Sequence, residues 1–255
     1  GNPMNRSIIK TIEDLSLNAW PSHQIQIYDG WLLRFSYFYT HRTNSVEQIG
    51  LSTIPIDDKI EYCQQIYRKW GTPAIFKISP MVDRIFDREL ERRDYAIEHT
   101  TQVMVMDLDG FHSSAPRPDG LLLEQSIPRR WIEGLFELKG TTNAMHRKIV
   151  PSMYRAIPMD TIAASIWQNG KIVATGLGIL DREYIGLYAI HVHPEFRGRG
   201  YAFGLCSAIL SAGRKKGARK SYLQVVAGNR PAENLYRRIG FQPLYTYWFR
   251  VLPLF

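Results

Sequence analysis

Cysteine is nearly absent from this 255-residue chain: Cys63 and Cys206 are the only two, each set inside an apolar helical pattern. That excludes a disulfide framework and a thiolate metal cluster and fits a reducing compartment, so no metal centre is implied and a cytoplasmic location is expected. No run of about 18 apolar residues is available to span a membrane, and no basic n-region followed by an apolar h-region marks secretion. Gly1-Asn2-Pro3 ahead of Met4 reads as a remnant appended to a natural start. Two nucleotide motifs are missing as well. There is no Gly-Lys-Ser/Thr phosphate loop, and no trio of spaced glycines followed by an acid about 20 residues on.

Acidic residues are scarce in one half only. Residues 1–119 hold 13 Lys+Arg against 16 Asp+Glu, whereas residues 120–255 hold 19 against 8, within a net charge of +8. A basic half attracts anions. Nucleic acid is not the expected partner, because these cations lack the aromatic interleaving or recognition-helix pattern of a nucleic-acid reader. For the run Arg214, Lys215, Lys216, Arg219 and Lys220, a solvated basic face is an equally good account.

What the basic half does contain is a Gly-Arg turn. An apolar strand ending near Val192 runs into His193-Pro194-Glu195-Phe196-Arg197-Gly198-Arg199-Gly200-Tyr201-Ala202. Alternate glycines let successive backbone N–H groups converge on one anion. Tyr201, Leu205, Ile209 and Leu210 repeat at helical spacing, so a helix starting near Gly200 aims its positive dipole end at the same point. A pyrophosphate would fit there. Taken alone, such a turn serves packing as readily as binding.

Gly110 to Gly120 combines glycines, prolines and serines and separates two patterned blocks, residues 1–110 and 121–255, with 111–120 as linker. In the first block the patterns predict a helix over Ser7–Trp20, a hairpin of Gln24–Tyr28 with Trp31–Tyr39 turning at Asp29-Gly30, and a helix over Asp57–Trp70. A strand Ala74–Ile78, a helix Val82–Arg93 and a strand Thr100–Leu108 follow. In the second, strand Leu121–Gln125 leads to helices Arg129–Leu138 and Pro151–Ala156. A meander of Ile162–Gln168, Ile172–Leu180 and Ile185–Val192 feeds the Gly-Arg turn. Helix Tyr201–Gly213, strand Ser221–Val226, helix Pro231–Ile239 and strand Tyr245–Val251 complete an α/β chain of α+β type.

Arg197-Gly198-Arg199-Gly200-Tyr201-Ala202 resembles the Arg/Gln-x-x-Gly-x-Gly/Ala hallmark of the GNAT superfamily of acetyl-CoA-dependent N-acetyltransferases. Asn229, Ala232, Tyr236 and Gly240-Phe241 resemble its second signature. The resemblance spans Leu121 to Val251. It implies a mixed, mostly antiparallel sheet flanked by helices, a full GNAT unit in the second block and a degenerate GNAT-like unit without a cofactor motif in the first. It further implies acetyl-CoA as cofactor, with its phosphates on Arg197, Gly198, Arg199, Gly200, Tyr201 and Ala202. The backbone of Ile190, His191 and Val192 would hold the pantetheine and polarise the acyl carbonyl. Asn229 would bind coenzyme A, and Tyr236 would protonate the leaving thiolate. Helix core is the plain alternative for Tyr236 and an N-cap for Asn229; the two roles of Asn229 are compatible.

The implied activity is direct acetyl transfer to a primary amine of a small molecule or a peptide in a ternary complex, the alternative being a coenzyme-A-binding module without turnover. The chain departs from the family at the general base. The strand positions that often carry an acid or histidine are Gly186 and Tyr188, leaving His191, His193 and Glu183 as neighbours, with His193 expected at the surface. The acceptor pocket is expected from residues 140–158 and the first block, where Arg34 or Arg42 could grip a carboxylate or phosphate. Equally, Trp31, Phe35, Tyr37 and Tyr39 could be sheet core and both arginines structural pairs. Tyr245, Tyr247, Trp248 and Phe249 could support a homodimer, or lie buried on a central strand.

Overall fold

Asp29 and Gly30 both take left-handed φ values, 46° and 81°, the geometry a two-residue hairpin needs to match strand twist. They join β1 (Gln24–Tyr28) to β2 (Trp31–Phe35), with Tyr28 opposite Trp31. In the computed structural model, which describes residues 3–254, this hairpin is one end of an eleven-stranded sheet. Gly1 and Asn2, the start of the expected appended remnant, lie outside the described residues.

The first block continues through β3 (Val46–Gln48), α2 (Ile56–Lys69), β4 (Ala74–Ile78), α3 (Arg84–Arg92) and β5 (Ala96–Asp107), after α1 (Pro3–Ala19). Helix α2 opens on Asp57 and Asp58 and closes on Arg68 and Lys69, matching charge to the ends of its dipole. The second block holds β6 (Leu121–Glu124), α4 (Arg129–Lys139), α5 (Ala144–Arg155) and the meander β7 (Asp160–Gln168), β8 (Lys171–Asp181) and β9 (Tyr184–Val192). Then follow α6 (Tyr201–Lys215), β10 (Lys220–Val226), α7 (Arg230–Ile239) and β11 (Gln242–Leu252). This is the expected α+β arrangement, a mixed sheet flanked by helices.

Strand order in the sheet is β1-β2-β3-β4-β11-β5-β10-β9-β8-β7-β6. The two blocks therefore interlock across residues 111–120. Strand β5, from the first block, lies between β10 and β11 of the second and is antiparallel to both. Strand β11 in turn lies against β4. The segment expected as a linker is packed on α6: a Cβ at Gly204 would come within 2.5 Å of Pro118, and Arg214 donates to the Phe111 carbonyl at 3.0 Å.

Three local differences have physical causes. Strand β2 stops at Phe35 because Tyr37, Phe38 and Thr40 turn left-handed (φ 50°, 58° and 115°), and the buried Asn44 carboxamide oxygen accepts from the Ser36 and Phe38 amides. Helix α5 begins at Ala144, where the Asn143 side chain caps the His146 amide, and it runs through Pro151 instead of starting there. Short β3 had no readable alternation.

Helices α1 and α3 are tied to the exchanged strand by charge. Tyr245 donates to Glu13 at 2.6 Å, and Glu13 pairs with buried Lys77 at 3.0 Å. Arg250 on β11 is nearly buried, pairs with Asp87 at 2.8 Å and donates to the Tyr95 carbonyl at 3.1 Å. Removing one partner of such a pair leaves the other uncompensated. R250A should lower unfolding free energy by about 3 kcal/mol in urea melts with an unchanged slope; a loss under about 0.5 kcal/mol would show that the pair does not hold α3 to the sheet.

Candidate active site

The site originates in a defect of strand β9. Leu177 faces Tyr188 and Thr175 faces His191, so Ala189 and Ile190 together oppose a single residue of β8, Gly176. Ala189 is left-handed at φ 53°, and Thr175 Oγ1 donates to its carbonyl at 2.9 Å. Such a bulge bends its strand and increases local twist. On the other side β9 pairs in parallel with β10 only as far as Leu187 opposite Leu223. Beyond that point the strands part, and a cavity of about 460 Å³ opens between them.

Ile190 and His191 form one wall of this cavity, and Asn229, Ala232 and Tyr236 form the opposite rim. Val192 lies beyond the lining, half-buried and paired with Ala174. Helix α7 starts because Asn229 Oδ1 accepts from the Ala232 amide at 3.4 Å, so the capping role of Asn229 is present while its exposed position faces the cavity. Tyr236 is buried edge-on against Phe241, with ring centres 6.2 Å apart. Burial raises its pKa well above the ordinary phenol value, keeping it a proton donor at neutral pH.

At one end of the strands a short 3-10 turn, Pro194–Phe196, is capped by His193 Nδ1 accepting from the Glu195 amide at 3.1 Å. Gly198 and Gly200 then take φ 78° and 77°, a conformation that disfavours any side chain. Gly200 caps α6 without a side-chain acceptor, so the first amides of a 15-residue helix are left for an external anion. Arg197 and Arg199 are exposed beside them, Arg199 stacked 4.7 Å over Phe196, and Phe196 lies parallel to Tyr201. The uncapped turn and the parted strands fit the phosphates and the extended arm of coenzyme A.

The missing base has a steric reason. A Cβ at Gly186 would stand 2.6 Å from the Tyr222 ring and 2.7 Å from Tyr188, so no side chain fits there. Tyr188 hydrogen-bonds Tyr222 at 2.7 Å, and burial pushes its pKa up to about 12, out of range for a base. His191 lines the cavity with its pKa lowered to about 4 by burial and then by the Lys139 and Arg197 charges. Glu183 lies by the start of β10, 3.7 Å from Lys220.

Residues the motifs did not point to complete the cavity: His99 and Thr101 of β5, Tyr247 and Phe249 of β11, and Thr40 to Arg42. Of these the sequence pointed to the pocket only through Arg42, as a possible grip on a carboxylate or phosphate. Tyr247 and Phe249 are buried on a central strand, and Trp31 and Phe35 in the first-block core. Arg34 is buried too, donating to the carbonyls of Arg42 and Trp20, and thus a structural arginine. His41, Glu98 and His99 bring their ligand atoms within 4.8 Å of one another, the group among the described residues able to hold a metal ion.

A family model described as the C-terminal part of a probable histone acetyltransferase, Rv0428c, matches residues 6–249. The chain belongs to that family. The Rv0428c C-terminal family match runs through both blocks, so the first is as much part of it as the second. A relative in Bacillus subtilis (strain 168), the uncharacterized N-acetyltransferase YobR, is 26% identical over 251 residues, covering 95% of this chain and 98% of that protein. The solved GCN5-related N-acetyltransferase from Kribbella flavida superposes with a TM-score of 0.70 at 14% identity over 98% of this chain and 96% of that one. A tandem GNAT protein from the clavulanic acid biosynthesis pathway gives 0.62 at 15% identity over 82% and 74%. The two structures share the fold. The chain is a GNAT acetyltransferase, of a superfamily that uses acetyl-CoA. Among the described residues no helix is long and apolar enough to cross a membrane.

The folded value for His191 lies below the ordinary 6.5, so the unfolded chain takes up the proton more readily. Acidification from pH 6.5 towards 4 therefore works against the fold, and the stability is fully present above 6.5. An NMR titration should place the His191 ring midpoint near 4; a midpoint at about 6.5 would show an imidazole in open solvent.

Proposed function

We propose that the chain transfers an acetyl group from acetyl-CoA directly to a primary amine of a small molecule or peptide, with both substrates bound at once. The observation that carries this reading is the parting of β9 and β10 beside an uncapped α6 terminus. The cavity between the strands carries a protonated phenol, Tyr236, in its lining, and the uncapped amides of α6 lie beyond the end of β9. Direct transfer is supported by the cysteines. Neither Cys63 nor Cys206 lines the cavity, both are buried, and burial pushes both thiols up to about 12, leaving no thiolate to carry an acyl group.

When bound, acetyl-CoA supplies a thioester carbonyl as electrophile and a thiolate as leaving group. The residues divide the remaining work. Gly198, Gly200 and the first turn of α6 bind phosphate, with Arg197 and Arg199 adding charge. The backbone of the bulge, through Ile190 to Val192, orients the arm and offers N–H groups to the carbonyl oxygen. Tyr236 gives its proton to the thiolate, and the proton that the nitrogen sheds as the amide forms restores the phenol through water. No side chain of β9 is fit to deprotonate an ammonium ion, so the amine reacts as the fraction already neutral or loses its proton to water.

Y236F should lower the single-turnover rate about 100-fold while leaving acetyl-CoA affinity unchanged, since general-acid groups contribute about that much and the ring still packs. An unchanged rate would remove Tyr236 from the reaction.

A further inference from the structure

Across β9 from the thioester groove lies a second, smaller cavity of about 100 Å³. Tyr188, Ala189, His191, Thr40 and Arg42 line both, so the two meet at the bulge. An acceptor amine reaching the thioester from this side passes through it. No carboxylate lines either cavity. That is the reverse of what a simple ammonium substrate needs.

The polar groups of the smaller cavity are donors in search of an acceptor. Among the described residues the Arg42 guanidinium makes no ion pair and no hydrogen bond; its central carbon lies 5.9 Å over the Tyr188 ring. Trp20 is 7% exposed, and its buried indole Nε1 has no hydrogen-bond partner. An indole N–H can only donate, and a buried donor left unpaired is costly. Lys139 Nζ donates to the Tyr39 hydroxyl at 2.9 Å on the same wall. Tyr154 remains protonated because burial raises its pKa. His191 is neutral and adds no negative charge.

Arg42 is held there deliberately. The loop that carries it runs through three left-handed non-glycine residues, Tyr37, Phe38 and Thr40, strain that persists only where surroundings fix it. Asn44 fixes it by binding the Ser36 and Phe38 amides and donating to the Thr40 carbonyl at 2.7 Å, and Arg34 grips the Arg42 carbonyl at 3.0 Å. The first block thereby delivers a cation into a cavity walled by the second.

We propose that this cavity binds the carboxylate of the acceptor, and that the acceptor is a small amino acid, not a simple amine or a protein side chain. The proposal rests on the acetyl-transfer reading above. Arg42 and Lys139 meet the carboxylate charge, and the apolar wall of Leu135, Leu177 and Ile179 takes a short side chain.

The test is acetylation, with acetyl-CoA, of the common α-amino acids, their carboxamides and their decarboxylated amines, alongside spermidine and a lysine peptide. Acetyl-CoA affinity is measured in parallel. For the best acceptor the free acid should exceed its carboxamide about 50-fold in kcat/KM, the loss expected for one charge-assisted pair. R42Q should erase that preference mainly through KM, and R42K should restore part of it. Far-UV circular dichroism and the melting temperature should match the intact chain in both, which shows that the variants are folded. Equal use of acid and carboxamide, or turnover of spermidine or the peptide with no amino acid accepted, overturns the carboxylate site while leaving acetyl transfer intact. Acetyl-CoA binding with no acceptor in the panel turned over also overturns it; failure to bind acetyl-CoA removes the reading on which it rests.

Discussion

Two neighbouring strands that stop pairing halfway along their length set the conditions for everything else. An unpaired stretch inside a sheet exposes backbone donors and acceptors that a fold normally satisfies. Here it is maintained by the Ala189 bulge on one side and by the antiparallel clasp of β10 on β5 on the other, which runs on to Val226 opposite Thr101 after β9 has turned away. The free backbone is thus built into the sheet and held open on rigid elements. Helix α6 then starts beyond the end of β9 with no side chain capping its first amides.

The strand exchange explains why the first block is retained without a phosphate turn of its own. Strand β5 is the neighbour that keeps β10 in place, and β11 reaches past it to close on β4, so neither block has a complete sheet without the other. The charges follow the same logic. Glu13 with Tyr245 and Asp87 with Arg250 tie helices of the first block to the strand contributed by the second. The cavity lies where the blocks meet, and the loop through Arg42 is part of its wall.

Much of this was legible in the sequence because its determinants are local. Alternate glycines can be read as left-handed turns, an Asn before Arg-Pro as a cap, and alternating apolar residues as a meander. The Arg197 to Ala202 turn and the cap at Asn229 were named on that basis, whereas Tyr236 was named through the resemblance to the GNAT signature; the structure brings Asn229 and Tyr236 to one cavity and the turn to the end of β9. The exchange was not legible. The period of Thr100–Leu108 says strand and says nothing of its neighbour, so His99 and Thr101 could not be assigned to a groove formed with Tyr236. Nor could Arg34 be told from Arg42, because Arg34 meets the carbonyls of Trp20 and Arg42 only once the loop through Thr40 has folded. Pro151 misled for a different reason: proline favours helix starts, but Asn143 offered a better cap eight residues earlier.

The central claim is that the Gly198–Gly200 turn and the parted strands form one coenzyme A site. Calorimetry with acetyl-CoA on the intact chain and on G200E tests it most directly, because a glutamate there would bring a negative charge and a disfavoured φ of 77° to the anion site. Micromolar binding by the intact chain and none by the variant is the expected result. No binding by the intact chain, or equal binding by both, would contradict it.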